Sequence, residues 1–270
     1  IPTGIRVEEY ERKDITREDA LALREKLGIA EDETMLLSLS RISYEKNIQA
    51  IVQQFPDVLG QNKAVKLVVV GDGPYLSDLK KMVEDLDIED SVIFTGMVAH
   101  EETAIYYKAA DFFISASTSE TQGLTYTESL ASGTPVIAHG NPYLDDIIDQ
   151  KMFGTLFYQE EDLANAILDA IENTPAMADK AYQAKMYAIS AEHFGKSVYA
   201  FYLDVLISAK NKKKEKFSLT VRGQKEKTSV KLAHSAIKLP AEAAKATVKT
   251  SAKVFKAPKR LINSIRDFLD

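Results

Sequence analysis

The stretch KLVVVGDGP, residues 66–74, decides the fold class. It holds four consecutive apolar residues without polar alternation, which predicts a strand covered on both faces, as in a parallel sheet flanked by helices. Two glycines and a proline follow, and they indicate a tight turn into a helix whose first turn suits the proline. We therefore expect an α/β fold with a doubly wound parallel sheet.

The same alternation of strand and helix continues on both sides of this stretch. The apolar, β-branched runs that we expect to form strands are 35–39, 66–70, 92–95, 112–115 and 135–138. The segments with helical periodicity are 77–86 and, later in the chain, 160–173, 175–192 and 196–209. No strand is evident after residue 157, so terminal helices are expected to follow the sheet.

The composition excludes several classes of protein. The 270 residues are 45% hydrophobic and 27% charged, which argues against wholesale disorder. The absence of Cys excludes disulfides, thiolate metal sites and a cysteine nucleophile. The sequence has no apolar run of the roughly 18–20 residues that span a bilayer and does not open with a signal-peptide pattern, so we do not expect an integral membrane protein.

The formal net charge of −6 conceals two parts of opposite charge. Residues 1–209 carry 17 basic and 35 acidic side chains, whereas residues 210–270 carry 17 basic and 5 acidic side chains. Such asymmetry is typical of an acidic globular body joined to a segment that binds an anionic surface. We place a domain boundary near Lys210, between a ligand-binding sheet domain, residues 1–209, and a basic tail, residues 210–270.

The basic tail has the pattern of amphipathic helices. After a β-like stretch at 217–222, apolar residues recur three or four positions apart with lysines beside them, and a second short helix is expected at 261–269. The apolar stripe is Ala244, Val248, Ala252 and Phe255. Such helices lie in anionic bilayer interfaces, so we expect membrane contact. The alternatives are that the stripe packs on the body of the chain or on a domain absent from it, or that the tail is a disordered linker. No stacking pattern or base-reading motif supports nucleic-acid binding.

Polar and glycine-rich loops follow the predicted strands, at the edge of the sheet where such folds bind ligands. The loops are 40–46, 71–74, 96–98 and 117–128. The last offers Glu120 and Glu128, and between them Gly123 precedes a helical stretch. A helix start presents unpaired N–H groups, so the amides of Gly123, Leu124 and Thr125 could hold a phosphate or sugar oxygen. A carboxylate at either end of that turn suits vicinal hydroxyls.

Two cations come from the loop after the first strand. Arg41 and Lys46 would meet the glycine-containing turn at the same sheet edge and neutralise a diphosphate. Together these features outline a site for a nucleotide-diphosphate sugar. The alternative is that Glu120 and Glu128 are solvated charges at helix ends and that Arg41 and Lys46 are surface cations, and spacing alone does not decide between the two.

Other candidate motifs have simpler explanations. Gly71 and Gly73 begin a dinucleotide-binding pattern, but Leu76 replaces its third glycine, so a tight turn is expected. Asp85 and Asp87 form a D-x-D pair at a polar helix exit, where solvated charges are expected rather than metal ligands. The four histidines lack metal-ligand spacing; they are His100, His139, His193 and His234.

Four motifs together resemble one enzyme family. They are SRISYEKN at 40–47, VVVGDGP at 68–74, FTGMV at 94–98 and ETQGLTYTESLASGTPVIA at 120–138. In order and spacing they resemble the C-terminal donor domain of retaining GT-B glycosyltransferases of family four, over about residues 1–205. Within that family, the last motif and the opening IPTGI look most like bacterial diacylglycerol glucosyltransferases and related glycolipid synthases. The resemblance implies a Rossmann-like sheet that is one half of a GT-B fold.

The resemblance also implies roles for the loop residues. Arg41 and Lys46 would contact the donor diphosphate and take the place of a metal ion. Glu120 would bind hydroxyls of the transferred sugar, and Glu128 would accept from the ribose hydroxyls. The donor-binding positions, which would hold sugar and phosphate or flank the base, are Gly73, Met97, Val98, Gln122, Gly123, Leu124, Thr125 and Glu128.

The function implied is that of a hexosyltransferase that needs neither cofactor nor metal. It would move a hexose, in the first place glucose, from a UDP-sugar to a diacylglycerol-type lipid, as a cytoplasmic enzyme peripheral to the inner face of the membrane. A GT-B enzyme has a second, N-terminal domain that holds the acceptor, so we expect this chain to be part of a longer protein and inactive alone. The alternative is a non-catalytic module that binds a nucleotide sugar or a membrane and regulates a partner.

Overall fold

In the part of the chain that the structure describes, six parallel strands form one sheet with helices on both faces. The computed structural model describes residues 3–119 and 122–222. The strands are β1 (Thr34–Leu39), β2 (Val65–Val70), β3 (Val92–Gly96), β4 (Phe112–Ser115), β5 (Val136–His139) and β6 (Gly154–Phe157). Their order is β3-β2-β1-β4-β5-β6, and every neighbouring pair is parallel. The doubly wound α/β fold is therefore confirmed.

Helices precede the first strand, connect the strands and follow the last strand. They are α1 (Glu8–Glu11), α2 (Arg17–Lys26), α3 (Ile48–Gln61), α4 (Leu76–Asp85), α5 (Thr103–Ala109), α6 (Leu124–Ala131), α7 (Pro142–Ile147), α8 (Leu163–Asn173), α9 (Asp179–Ile189) and α10 (Ala191–Arg222). Short 3-10 turns cover Tyr44–Lys46, Glu89–Ser91, His100–Glu102, Lys151–Phe153 and Glu160–Asp162. Every connection between successive strands contains an α-helix, as parallel pairing requires.

Alternate residues of the central strands pack into two cores, one on each face of the sheet. In β1, Leu36 packs in the core that includes α3, α4 and α8, whereas Met35 and Leu37 pack in the core that includes α5 and α6. In β2, Leu67 and Val69 join the first of these cores. All five side chains are fully buried. Because both faces of the sheet are covered, apolar and polar residues do not alternate along the central strands.

The loops after β1 and β2 pack directly against each other. The amide of Ile42 donates to the Asp72 carbonyl at 2.9 Å. A Cβ atom on Gly71 would overlap the Ser40 carbonyl oxygen, and a Cβ atom on Gly73 would overlap the Ile42 carbonyl oxygen. The glycines therefore permit the close approach of two backbones, and the tight turn predicted for this motif is confirmed.

The sequence does not predict β6. This strand is four residues long, begins with a glycine and has only half-buried residues, Thr155 and Leu156, at its centre. It lies at the edge of the sheet, and among the described strands its only partner is β5. Its strand conformation therefore depends on pairing with a neighbour, which a local apolar pattern does not reveal.

The terminal helices differ from the predicted segments at their ends. Helix α9 begins later than the predicted segment and also ends earlier, at Ile189, because Ser190 is extended and pairs with Ile5 in an isolated β-bridge. Helix α10 follows directly and continues through 217–222, so the β-like interpretation of that stretch is wrong. Lys and Glu, which dominate the preceding residues, favour helix, and an existing helix extends at low cost.

One predicted site residue, Glu120, lies outside the described residues. The helices predicted near 244–255 and 261–269 also lie outside them. The chain divides into two units after Leu206, and the sheet belongs to the first. The assignment of residues 210–270 to a membrane-contacting domain stays a prediction. Within the ranges described, no helix combines the length and the apolar composition needed to cross a bilayer.

Candidate functional site

The strand order reverses between β1 and β4. Ligands of doubly wound sheets bind in the crevice outside the carboxyl ends of the strands at such a point. A cavity of about 240 Å³ lies there, between the loop after β1 and the start of α6, and we call it the switch-point cavity. The predicted site residues that line it are Lys46, Gln122, Gly123, Leu124 and Thr125.

The first turn of α6 forms one wall of the switch-point cavity. Gly123 precedes the helix in the left-handed conformation, with φ 59°, and a Cβ atom there would lie 2.8 Å from Tyr126 Cδ2 and 2.9 Å from Tyr143 Cε1. The amides of Leu124 and Thr125 begin the helix, where no intrahelical acceptor is available. The partial positive charge of the helix start is thus presented to the cavity.

Lys46 comes to the switch-point cavity from the loop after β1. It is the last residue of the 3-10 turn Tyr44–Lys46, and its amide donates to the Ser43 carbonyl at 3.0 Å. The cavity is therefore lined by an ammonium-bearing side chain and by a helix N-terminus. Both favour a bound anion.

Arg41 lies at a neighbouring cavity of about 730 Å³, which shares Leu39 and Ser40 with the first. Arg41 forms an ion pair with Glu45, and both side chains are more than half exposed. Such an exposed pair is weak, so Arg41 can exchange Glu45 for an anionic ligand at little cost. The predicted site residues that line this neighbouring cavity are Arg41, Gly73, Met97 and Val98.

Glu128 is on α6 but lines neither cavity. Its Oε2 atom accepts a hydrogen bond from the Tyr107 hydroxyl at 3.0 Å. Burial, and next the nearby Glu128 carboxylate, raise the pKa of Tyr107 well above its usual value. Burial and then Glu128 raise the pKa of Tyr10 as well. The carboxylate is thus placed against neutral phenol groups, and its contact with a ribose stays a prediction.

Among the described residues, Asp85, Asp87 and His139 are not part of the lining of either cavity. Asp85 is the last residue of α4, and Asp87 follows in the left-handed conformation, with φ 55°, so the D-x-D pair is at a helix exit as predicted. His139 ends β5 and packs edge-on against Phe157, with 5.5 Å between ring centroids. Across 3–119 and 122–222, no three His, Asp or Glu side chains are grouped in a way that could hold a metal ion. Glu120 is outside these ranges, so its role stays a prediction.

Sequence reasoning did not identify Asn47 or Tyr107. Asn47 adopts the left-handed conformation, and its side chain contacts residues that follow β4 and β6. Its position after a short polar turn is a usable signal, because Asn tolerates that conformation better than most residues. Tyr107 gives no local signal, because its partner Glu128 is 21 positions away in the chain.

Two bacterial proteins are similar to this chain over most of its length. The alpha-monoglucosyldiacylglycerol synthase of Streptococcus pneumoniae is 56% identical over 268 residues, which cover 99% of this chain and 59% of that protein. The Acholeplasma laidlawii protein of the same name is 33% identical over 221 residues, which cover 80% of this chain and 54% of that protein. The chain therefore spans less than two thirds of the length of these relatives.

The fold is also similar to that of a solved structure. Anabaena HepE, crystallised in complex with UDP and glucose, matches with a TM-score of 0.63 at 21% identity, over 74% of this chain and 55% of that one. The family described as glycosyl transferases group 1 matches residues 19–187, a range that includes all six strands and the linings of both cavities. The resemblance indicated by the four motifs is thus confirmed, and this chain belongs to the glycosyl transferases group 1 family.

Proposed function

We propose that this chain is the donor-binding part of a retaining hexosyltransferase that transfers glucose from UDP-glucose to a diacylglycerol-type lipid. The observation that carries the proposal is the switch-point cavity, where Lys46 and the first turn of α6 meet. An ammonium group and helix-start amides complement the charge of a diphosphate. The neighbouring cavity, whose lining includes Met97 and Val98, falls within the range of roughly 300–1,000 Å³ typical of ligand pockets and would take the nucleoside.

The transfer begins with cleavage of the bond between the anomeric carbon and the diphosphate oxygen. Both electrons of that bond leave with the diphosphate, so negative charge increases there in the transition state. The anomeric carbon forms its new bond to the hydroxyl oxygen of the lipid acceptor, which loses its proton. Cationic and N–H groups that are already in place stabilise this charge more than that of the ground state. In the proposed mechanism, Lys46 performs this task together with Arg41, which exchanges Glu45 for the ligand, and no metal ion is required.

The names of the two relatives support the choice of sugar, acceptor and stereochemistry. Both are alpha-monoglucosyldiacylglycerol synthases, a name that contains a glucosyl group and a diacylglycerol. Because UDP-glucose is itself an α-glycoside, an α-linked product means retention of configuration. This chain matches 59% of the S. pneumoniae protein. We assign the acceptor site to a segment that corresponds to the unmatched part of that protein.

The proposed roles of the remaining site residues are those implied by the resemblance of the four motifs. Glu120 contacts hydroxyls of the transferred glucose, and Glu128 contacts those of the ribose. Gln122 and Gly123 hold the sugar and phosphates beside the start of α6. Gly73 lets the turn after β2 pack against the backbone of the loop that carries Arg41, beside the neighbouring cavity.

UDP binding to this chain tests the proposal directly. We expect isothermal titration calorimetry to show binding of UDP and of UDP-glucose. We further expect glucose transfer to diacylglycerol by the complete transferase, by which we mean this chain together with the counterpart of the remaining length of the S. pneumoniae relative. UDP binding without transfer by the complete transferase would favour a non-catalytic regulatory module, and lack of UDP binding would refute the donor site.

The basic tail, residues 210–270, is proposed to contact the cytoplasmic face of the membrane. It carries 17 Lys and Arg against 5 Asp and Glu, and each basic residue close to an anionic surface contributes about 1 kcal/mol to binding. We expect the chain to co-sediment with phosphatidylglycerol-containing vesicles at low salt, and removal of residues 210–270 to abolish this. Vesicles of neutral lipid are the control. Equal sedimentation of both forms with anionic vesicles would exclude the tail as the contact.

A further inference from the structure

Asn47 connects three segments at the carboxyl edge of the sheet. It directly follows Lys46 and precedes α3, with φ 53° and ψ 32°. Its Nδ2 atom donates to the Ala116 carbonyl at 3.3 Å and to Glu160 Oε1 at 2.6 Å. Both hydrogens of the amide group are therefore used, one for each acceptor.

The two acceptors belong to different parts of the site edge. Ala116 is the first residue after β4, and Glu160 begins the 3-10 turn that follows β6. Asn47 itself follows the cation-bearing loop after β1. One amide group thus connects the loop that carries Lys46 to the segment after β4 and to the segment after β6. A longer hydrogen bond also connects this loop to the segment after β4, since Ser119 Oγ donates to the Glu45 carbonyl at 3.5 Å.

We propose that Asn47 is a positioning residue that holds Lys46 at the switch-point cavity. This inference rests on the proposed function, because it assumes that Lys46 binds the diphosphate. A lysine has a long, flexible side chain, so the location of its ammonium group depends on how firmly its backbone is held. Small displacements of a positioned group have large effects on the step that it supports.

Asn meets two requirements at this position that few residues meet together. The left-handed backbone lets the chain turn from the 3-10 turn Tyr44–Lys46 into α3, and Gly would meet this requirement as well. The two donated hydrogen bonds need an amide side chain of this length, which Gly lacks. Asp has the length but offers no donor, and it would place a second carboxylate against Glu160.

Four variants separate the contributions of the backbone and the amide group. Asn47→Gly keeps the left-handed backbone and loses both hydrogen bonds, whereas Asn47→Asp also adds repulsion. Glu160→Gln is the matched control, because its side-chain oxygen still accepts from Asn47. In the double variant Asn47→Asp with Glu160→Gln, the hydrogen bond between the two side chains re-forms with donor and acceptor exchanged.

The test is UDP affinity, measured by calorimetry on the whole chain, with circular dichroism to establish that each variant is folded. We expect Asn47→Asp to weaken UDP binding by about tenfold, Asn47→Gly to weaken it less, Glu160→Gln to leave it within about twofold, and the double variant to recover part of the loss. Binding of uridine, which has no phosphate, should be unchanged in all four when followed by NMR titration.

A double-mutant cycle distinguishes positioning from a general effect on stability. If Asn47 acts through Lys46, Asn47→Asp should have little further effect on UDP affinity in a chain that already carries Lys46→Ala. Three results would overturn this inference alone. One is that Asn47→Asp binds UDP as tightly as the unaltered chain, and another is that it loses uridine affinity as much as UDP affinity. The third is that Asn47→Asp lowers UDP affinity as much in the Lys46→Ala chain as in the unaltered chain. Failure of the unaltered chain to bind UDP would instead overturn the proposed function on which the inference rests.

Discussion

The substitution Lys46→Ala should lower kcat of the complete transferase by about a hundred- to a thousandfold, with a smaller change in KM for UDP-glucose. Lys46 lines the switch-point cavity, where the charge of the departing diphosphate would develop. Removal of one comparable donor from a site that stabilises an oxyanion costs roughly 2.7–4 kcal/mol of transition-state stabilisation. Steady-state kinetics with UDP-glucose and a diacylglycerol acceptor measure the effect.

A lysine at the amino ends of the strands, away from the two cavities, provides the control for this variant. Lys63 is exposed and lies just before β2, at the amino end of that strand. Lys63→Ala removes the same charge from the protein without touching either cavity, so kcat should be unchanged. Unaltered kcat and unaltered donor KM in Lys46→Ala would exclude Lys46 from the reaction.

The substitution Gly123→Ala should abolish most UDP binding by displacing the start of α6. An alanine at φ 59° is strained by about 1–3 kcal/mol. Its Cβ atom would also lie within 3 Å of the Tyr126 and Tyr143 rings, so the backbone or the rings must shift. The amides of Leu124 and Thr125 would move with the backbone. We expect UDP affinity measured by calorimetry to fall by more than about tenfold.

The same helix offers a matched control at its other end. Gly133, just beyond α6, has φ 86°, but a Cβ atom there would have no neighbour within 4 Å. Gly133→Ala therefore introduces similar backbone strain without displacing the cavity wall. It should lower the melting temperature and leave UDP affinity unchanged. If the two variants lose UDP affinity equally, the effect of Gly123→Ala is one of stability, and the start of α6 is not the phosphate site.

The parts of the fold with a strong local pattern could be predicted from the sequence. The run 67–70 packs into both cores, so its four residues are all apolar. The edge strand β6 lacks that pattern, since its conformation depends on pairing with β5. The break between α9 and α10 is equally non-local, because it depends on a bridge between Ser190 and Ile5.

In the candidate site, too, some features could be predicted from the sequence and others depend on contacts between distant residues. Loops that follow parallel strands meet at one edge, so the proximity of Lys46 to the start of α6 could be predicted from the sequence. The contacts of Glu128 with Tyr107 and of Asn47 with Glu160 could not, because they join residues 21 and 113 positions apart. The sequence also did not reveal that Arg41 and Lys46 line two adjoining cavities rather than one.

A crystal structure of this chain with bound UDP would show where the diphosphate binds. We expect the diphosphate in the switch-point cavity, within hydrogen-bond distance of Lys46 Nζ and of the amides of Leu124 and Thr125. We expect the uracil in the neighbouring cavity, beside Met97 and Val98. UDP bound elsewhere on the chain, with the switch-point cavity empty, would contradict the proposed donor site.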